Sequence, residues 1–274
     1  MDLDRDYPLP VRGKLEASSY IPDGRPNFTC TKTGLREVIR LLEENGIKAS
    51  FFVEAVTLQH LQLQEEESIR PIAENEVGCH GLNHEDLTGK HTGLQLTPTQ
   101  QLESIKKATE IIARITGVKP LGFRAPYLSI NRSIERILAD LNYMYDSSKY
   151  LEVFKPPHPY FLGCKLIEVP LPLYPIGKRK ATLYTWTLLE GKRTLEEYKN
   201  ILTTYIENDD GGILMVSTHT WHLAYNISKC KKLPPKQVRE NIYKIHDLLA
   251  YLESKGARIT PIAEYLKQKG FSKG

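Results

Sequence analysis

The sequence is poor in cysteine and has no long apolar run, and each absence excludes a class of protein. Four cysteines in 274 residues form no C-x-x-C pair, so neither a zinc ribbon nor a redox motif is indicated. No stretch approaches the roughly 18 apolar residues of a membrane-spanning helix. The polar segment 1–10 is also unlike the basic and then apolar start of a secretory signal. We therefore expect free thiols, no membrane partner and a cytoplasmic location.

Charge of one sign is not in large excess either. Lysine and arginine number 37 against 33 acidic residues, and the only basic clusters are short, at residues 177–180 and 229–232. We expect these clusters to be solvated loops that attract an anionic ligand only weakly, and we expect no nucleic-acid partner. Hydrophobic residues at 41% and charged residues at 26% are typical of a folded globular chain. A single domain over residues 1–274 is therefore predicted.

Segments rich in β-branched or aromatic residues alternate with amphipathic segments of helical length. This pattern is typical of an α/β protein with a parallel sheet or barrel. Residues 11–18 are predicted as the first strand, 97–116 as a strong helix, and 212–218 and 258–261 as later strands. Six prolines between residues 154 and 179 forbid helix and interrupt sheet, so we expect an elaborate loop there.

A pair of histidines is the strongest local feature. His80 and His84 form an H-x3-H pair, and on one helical turn this spacing puts both imidazoles on the same side, about 5–6 Å apart at Cβ. His80 ends a short apolar strand at residues 77–80, and α/β barrels place functional groups at the ends of their strands. The pair therefore predicts two histidine ligands of one metal ion.

A hydrolytic metal site normally needs a third, anionic ligand and an open position for water. The N-terminal region offers two candidates, Glu16 within the predicted first strand and Asp23 in an Ile-Pro-Asp-Gly sequence that is typical of a turn. We favour Glu16, because residues 11–18 make the better strand and Pro22 would interrupt one. Asp23 is the alternative ligand.

Five short motifs then follow one another along the chain. They are residues 49–53 (ASFFV), 80–84 (HGLNH), 123–127 (FRAPY), 145–148 (YDSS) and 214–219 (LMVSTH). Their order and spacing resemble the polysaccharide deacetylase family, also called the chitooligosaccharide deacetylase homology domain. The resemblance extends over about residues 11–265.

The resemblance implies a fold and a reaction. The family has a distorted (β/α) barrel of about seven parallel strands, with its site at the C-terminal ends of the strands. Its members hydrolyse N- or O-acetyl groups on sugars with one divalent metal ion, usually zinc. By resemblance, His80 and His84 are the histidine ligands of that metal.

The resemblance also assigns roles to other residues. His219 would be the general acid that protonates the departing amine, a task suited to a group that titrates near neutrality. Arg124 and Asp146 match the pair that orients the catalytic base, and the backbone N–H of Tyr127 would bind the oxyanion. Trp221, two residues after His219, is a candidate for stacking on a sugar ring.

The family's first motif carries two acidic residues, adjacent or separated by one position, of which the first is the general base. If residues 13–16 occupy that strand, Lys14 stands at the base position, and a charged lysine cannot accept a proton. Three outcomes then stay open. Another group such as Asp23 supplies the base, metal-activated water suffices, or the site binds sugar without turnover.

The sequence thus predicts a metal-dependent hydrolase that removes an N-acetyl or similar acyl group from a carbohydrate or sugar-like substrate. One alternative is a catalytically impaired relative that binds carbohydrate. The other is a hydrolase of non-sugar C–N amide bonds, which would use the same metal chemistry.

Overall fold

A computed structural model of the chain describes residues 1–19, 25–64, 66–163, 165–176 and 178–271. The strands in these residues are β1 (Asp2–Leu3), β2 (Pro8–Leu9), β3 (Ser18–Ser19), β4 (Ser50–Val53), β5 (Glu76–Cys79), β6 (Gly122–Phe123), β7 (Tyr145–Asp146), β8 (Tyr150–Glu152), β9 (Tyr160–Leu162), β10 (Leu166–Glu168), β11 (Leu171–Ile176), β12 (Arg179–Thr182), β13 (Tyr225–Asn226) and β14 (Lys231–Lys232).

The α-helices in the same residues are α1 (Thr29–Glu44), α2 (Ala55–Gln64), α3 (Ile69–Ala73), α4 (Pro98–Thr116), α5 (Arg132–Asp140), α6 (Trp186–Leu189), α7 (Leu195–Glu207), α8 (Pro235–Ser254) and α9 (Ile262–Gln268). None of the helices in the described part of the chain is long and apolar enough to cross a membrane. Of the cysteines, Cys30, Cys79 and Cys230 are free thiols, as predicted, and Cys164 lies outside the described residues.

The centre of the molecule is a seven-stranded sheet in the order β1-β4-β5-β6-β7-β10-β9. Neighbouring strands are parallel except for β9, which runs antiparallel to β10. The predicted α/β class with about seven strands is therefore confirmed. The strand ladders of the described residues do not close into a complete barrel.

The free edge of β1 is covered by the segment that leads to His219. Asp2 donates its N–H to the carbonyl of Thr218 at 2.9 Å, and Thr220 donates to the carbonyl of Asp2 at 3.1 Å. Within the predicted strand 212–218 only Ser217 forms a bridge, with Tyr184, and residues 258–261 form no strand. Both strand predictions were wrong because an apolar run does not specify a pairing partner.

The first strand of the sheet is β1, and the prediction of residues 11–18 was wrong. Residues 18–19 instead form β3, which pairs with β2 in a separate two-stranded sheet. β1 lies parallel to β4, with Asp2 opposite Phe52 and Leu3 opposite Val53. A strand of two residues is too short to show an alternating apolar pattern, so composition could not reveal it.

The proline-rich segment 154–179 contains strands as well as loops, which also differs from the prediction. β10 joins the central sheet, and β11 forms the middle of a three-stranded sheet. The prolines are tolerated on the side of β11 that faces β8 because the hydrogen bonds there use Leu171 and Leu173. Leu171 donates to the carbonyl of Lys149, just before β8, and Val153, just after β8, donates to the carbonyl of Leu173.

Helix α4 confirms the prediction for residues 97–116 almost residue for residue. Thr97 and Gln100 form a capping box, Pro98 opens the first turn, and Gly117 ends the helix in a left-handed conformation with φ of 72°. Its buried face packs on α2, α3, α5 and the sheet within the largest apolar core. This core supports the strand ends that carry the site.

Candidate functional site

Two aspartates lie at the centre of the candidate site: Asp2 is on β1, and Asp4 directly follows this strand. Leu3, between them, is fully buried in the apolar core, so the period of two along a strand turns Asp2 and Asp4 to the opposite face. Asp2 is opposite Phe52 in the ladder, and Phe52 lies under the guanidinium of Arg124 at 4.1 Å. Both aspartates therefore lie on the inner face of the sheet, where the side chain of Arg124 reaches Asp2.

Asp4, His80 and His84 form the cluster that could hold a metal ion in the described part of the chain. One ligand atom from each lies within 4.8 Å of the other two, and all three side chains are buried. Neither carboxylate oxygen of Asp4 has a hydrogen-bond partner, although Nε2 of His84 is 3.4 Å from one of them. Burial raises the pKa of Asp4 to about 7 and lowers that of His84 to about 4. A cation would satisfy the buried oxygens and suits this mixed oxygen and nitrogen donor set.

His80 is oriented by a hydrogen bond to the main chain. Its Nδ1 donates to the carbonyl of Arg124 at 2.7 Å, because a carbonyl can only accept. The proton is thereby assigned to Nδ1, and Nε2 keeps its lone pair for a ligand. Burial, followed by the nearby His84, lowers the pKa of His80 below its ordinary value, which also favours the neutral form.

The loop between the histidines is not the helical turn that the spacing predicted. Gly81 and His84 both adopt positive φ, 80° and 51°, so the chain folds into a tight loop that still brings the two imidazole centroids within 4.8 Å. The carboxylate of Glu85 accepts the N–H groups of Leu82 at 3.0 Å and Asn83 at 2.7 Å. A left-handed histidine is strained, and such strain is typical of functional sites.

Asp2 is held by two donors on its two oxygens. Arg124 Nη1 donates to Oδ1 at 2.8 Å, and the hydroxyl of Tyr184 donates to Oδ2 at 2.8 Å. Burial by itself would raise the pKa of Asp2, but the positive charge of Arg124, followed by His219, holds it well below its ordinary value. Asp2 is therefore an ionised, fixed carboxylate two residues from Asp4.

His219 faces the same carboxylate from the other side of the cavity. Its Nε2 lies 3.6 Å from Oδ2 of Asp2, and its ring stacks on Tyr184 with centroids 5.3 Å apart. Burial lowers the pKa of His219 below its ordinary value, against the opposing charges of Asp4 and Asp2. The predicted acid and the two aspartates of β1 therefore share one site.

Asp146 does not reach this group directly. Its Oδ1 accepts from the hydroxyl of Ser148 at 2.6 Å, and that hydroxyl accepts the N–H of Ala125 at 2.8 Å. Its carboxyl group also interacts with Glu168 on the next strand, and burial raises the pKa of both groups. The structure thus joins Arg124 to Asp2, whereas Asp146 supports the loop beside Arg124, and the role of Arg124 and Asp146 as an orienting pair stays a prediction.

A cavity of about 380 Å³ opens over the site. Aromatic rings, with four histidines and Asp2, form much of its wall; the aromatic residues are Tyr7, Tyr127, Tyr150, Tyr184, Trp186 and Trp221. Tyr127 has φ of 57°, and its ring meets that of His84 edge-on at 4.6 Å. A small cavity with aromatic walls and a few polar groups suits a sugar-sized ligand.

Trp221 lines the cavity, but one face of its indole is covered. The ring of His222 stacks on it at 4.7 Å and 9°, and Tyr7 approaches at 5.4 Å. Behind them, His222 donates from Nε2 to Glu190 at 3.1 Å. Sugar stacking on the face against His222 is therefore blocked.

Glu16 and Lys14 lie elsewhere. Glu16 is exposed, and its carboxylate accepts from Nη1 of Arg5 at 3.1 Å instead of joining the histidines. Lys14 is also exposed, whereas Asp2 is buried and bonded to Arg124. Asp23 lies outside the described residues. Because β1 starts at Asp2, the first motif lies some ten residues before the segment that was predicted to carry it.

Four residues at or near the site were missed from the sequence. Asp2 and Asp4 did have a signal, because an Asp-Leu-Asp sequence is the first-motif pattern of two acids separated by one position. Tyr184 and Glu190 had none, since only contacts distant in sequence bring Tyr184 to Asp2 and Glu190 to His222.

Comparison with known proteins relates part of the chain to a family. The sequence model of the family described as polysaccharide deacetylase matches residues 23–145. A peptidoglycan deacetylase-like protein of Gibberella zeae is 29% identical over 43% of this chain and 33% of its own length. A chitin deacetylase of Colletotrichum lindemuthianum is 26% identical over 46% of this chain and 55% of its own length. The chain thus spans about a third to a half of these relatives.

Solved structures show the same fold at low sequence identity. A Mycobacterium smegmatis protein described as a polysaccharide deacetylase superposes with a TM-score of 0.58 at 19% identity, over 87% of this chain and 78% of its own. The Puue allantoinase gives a TM-score of 0.61 at 15% identity, over 87% and 74% of the two chains. The family match and the curated relatives show that residues 23–145 resemble the polysaccharide deacetylase family, and the solved structures share the fold of this chain.

Proposed function

We propose that this chain is a divalent-metal-dependent hydrolase that removes an N-acetyl or similar acyl group from a carbohydrate or sugar-like substrate. The observation that carries the proposal is Asp4, whose two carboxylate oxygens are buried without a hydrogen-bond partner beside His80 and His84. A buried carboxylate without donors is costly, and a bound cation removes that cost. Asp4, His80 and His84 are the proposed ligands, with zinc the expected ion.

A divalent ion held by these three ligands supplies Lewis acidity to an acyl carbonyl and makes water more acidic. Asp2 is the proposed general base, because it is ionised and fixed by Arg124 and Tyr184 on the inner face of the sheet. It takes a proton from the attacking water. The backbone N–H of Tyr127 is the proposed donor to the oxyanion of the tetrahedral intermediate.

His219 is the proposed general acid. It lies 3.6 Å from Asp2, so a proton taken up by Asp2 has a short path to the histidine and from there to the departing amine. Without that proton the amine is a poor leaving group. Arg124 compensates the negative charge of Asp2 before Asp2 takes up the proton and after it has passed the proton on.

The aromatic wall of the cavity supports a carbohydrate substrate, since apolar faces of sugar rings pack on aromatic rings. The names of the curated relatives point the same way, because they refer to peptidoglycan and chitin. A non-sugar cyclic amide is the second candidate, and the likeness of fold to an allantoinase motivates its inclusion in a substrate panel.

The catalytically impaired alternative loses its original motivation. It rested on Lys14 at the base position, and Lys14 is exposed while Asp2 occupies the site. Some solved relatives of this fold are described as pseudoenzymes, so turnover must be measured directly. The cytoplasmic location, the single domain over residues 1–274 and the absence of a nucleic-acid partner stay predictions.

The test combines metal analysis with acyl release. Purified protein is expected to bind about one equivalent of zinc and to release acetate from an N-acetylated chitooligosaccharide or peptidoglycan fragment. His84→Ala and chelation should each abolish release. Release that survives both treatments would refute the metal mechanism, activity on cyclic amides alone would favour the second candidate, and metal binding without turnover of either class would favour a binding protein.

A further inference from the structure

The first turn of helix α1 contacts both the segment that carries Asp4 and the segment that follows His219. Its N-terminus is held by Asp6, whose carboxylate accepts the N–H groups of Cys30 at 2.8 Å and Thr31 at 2.7 Å. A carboxylate on free N–H groups at a helix start both satisfies them and interacts favourably with the helix dipole. Because Asp6 is two residues from Asp4, this contact ties the helix to the first motif.

Thr31 bridges the segments that carry Asp4 and His219. Its hydroxyl donates to the carbonyl of Asp4 at 2.5 Å, because a carbonyl can only accept. The hydroxyl of Thr220, 2.8 Å away, must then donate to Thr31, since Thr31 has already used its single proton. Thr31 and Thr220 are both fully buried, so water cannot replace either bond.

Gly34, one turn further along α1, allows the helix to come this close. A Cβ atom at Gly34 would lie 1.8 Å from the carbonyl oxygen of Thr220. Backbone cannot yield at that distance, so any larger residue would displace the segment that follows His219. Thr31 and Gly34 therefore both contact Thr220, Thr31 through its hydroxyl and Gly34 through the absence of a side chain.

We infer that Thr31 and Gly34 are positioning residues that hold Asp4 and His219 in one fixed geometry. The inference rests on the proposed function, because it gives α1 the role of fixing the distance between Asp4, the proposed metal ligand, and His219, the proposed general acid. Neither residue lines the cavity, so neither contacts the substrate. Their effect passes through the main chain of Asp4 and Thr220.

The first experiment is Thr31→Val, which keeps the shape of the side chain and removes both hydrogen bonds. The Zn²⁺ dissociation constant, measured by competition with a chromogenic chelator, is expected to rise about tenfold or more, as for other supports of metal ligands. The kcat for acetate release should fall while KM changes less than about twofold, because ground-state contacts are kept. Thr31→Ser keeps the hydroxyl and should restore both values.

Thr33→Val is the matched control on the same helix, since its hydroxyl donates to the carbonyl of Thr29 within α1. It should leave the Zn²⁺ affinity unchanged. If Thr31→Val is folded and matches wild type in both Zn²⁺ affinity and kcat, the inference is overturned while the proposed function stands. A wild-type protein that binds no divalent ion would overturn the proposed function, and the inference with it.

Gly34→Ala provides a second, independent variant. It should lower kcat by displacing the segment after His219, with a smaller effect on Zn²⁺ affinity because Gly34 meets Thr220 rather than Asp4. A folded Gly34→Ala protein with wild-type kcat would contradict the inference. Circular dichroism and the thermal unfolding midpoint establish that each variant is folded.

Discussion

Among single residues, Asp4 gives the strongest support for the proposed metal site. Carboxylates buried in proteins are almost always paired or bonded to donors, because removing them from water is costly. Asp2, two residues away, has both its donors, whereas Asp4 has none. This contrast between the two aspartates is the basis for proposing Asp2 as the general base and Asp4 as a metal ligand.

Asp4→Asn should weaken zinc binding by at least about tenfold, because it replaces an anionic ligand with a neutral one. Bound zinc is measured after dialysis and by chelator competition. Glu16→Gln is the matched control, since this exposed carboxylate contacts Arg5 and not the histidines. Zinc binding that depends on Glu16 and not on Asp4 would restore the ligand that the sequence suggested.

Asp2→Asn should lower kcat by about 10²–10⁴, the usual contribution of a general base, and should leave zinc bound. The separation of the two effects follows from the geometry, because Asp2 lies outside the group of three ligands. Steady-state kinetics and metal content are measured on the same sample. A variant that loses zinc as completely as Asp4→Asn would show that Asp2 is a ligand instead.

At the scale of elements, buried carboxylates shape the loops that carry the site. Glu85 holds the loop between the two histidines, and Asp86 accepts from the N–H groups of His91 at 2.6 Å and Thr92 at 2.9 Å in the next loop. Glu190 does the same for the segment after His219, where it accepts from Ile227 at 2.7 Å and from His222. These loops contain little regular secondary structure, so side chains supply much of their order.

Glu190→Gln should change the pH dependence of stability. Burial would raise the pKa of Glu190, but its hydrogen bonds from His222, Ser228 and Ile227 lower it to about 2, from an ordinary value of 4.5. A depressed pKa stabilises the fold fully above pH 4.5, and this contribution is lost as the pH falls towards 2. The wild type should therefore exceed Glu190→Gln in unfolding free energy near pH 6, and the gap should narrow near pH 3.

Urea denaturation at the two pH values measures that gap. Glu44→Gln, an exposed carboxylate on α1, is the control and should give no comparable pH-dependent difference. A gap between wild type and Glu190→Gln that stays constant from pH 6 to pH 3 would contradict the assigned role of Glu190.

At the scale of the whole molecule, the proposed metal site joins two segments that are distant in sequence. Asp4 follows β1, whereas His80 and His84 follow β5, and β4 lies between these strands in the sheet. An ion bound by both segments binds the folded state and not the unfolded chain. Metal binding should therefore stabilise the entire fold.

Zinc at about 100 times its dissociation constant should add about 2.7 kcal/mol to the free energy of unfolding. For a chain of this size, this corresponds to a rise of about 5–10 °C in the unfolding midpoint. Differential scanning fluorimetry with and without zinc measures the rise. Asp4→Asn should show little or none of it, and an equal rise in that variant would place the ion elsewhere.

The sequence was sufficient where chemistry and local pattern coincide. His80, His84, Arg124 and His219 stand in motifs after apolar segments. The structure brings the three histidines to the wall of one cavity and bonds Arg124 to Asp2, which lines the same cavity. The capping box and terminal glycine of α4 likewise predicted its bounds. In each case a few neighbouring residues contain the information, because caps, turns and strand ends are local.

The tertiary structure alone decided which carboxylates belong to the site. The sequence by itself provided the resemblance to a family, the pair of histidines and the need for an acidic partner, but it offered Glu16 and Asp23 for that partner. β1 has two residues and is defined by its bonds to β4 and to residues 218–220, which are long-range contacts. Only those contacts turn Asp2 and Asp4 inward, towards Arg124 and the histidines, while Glu16 is left at the surface.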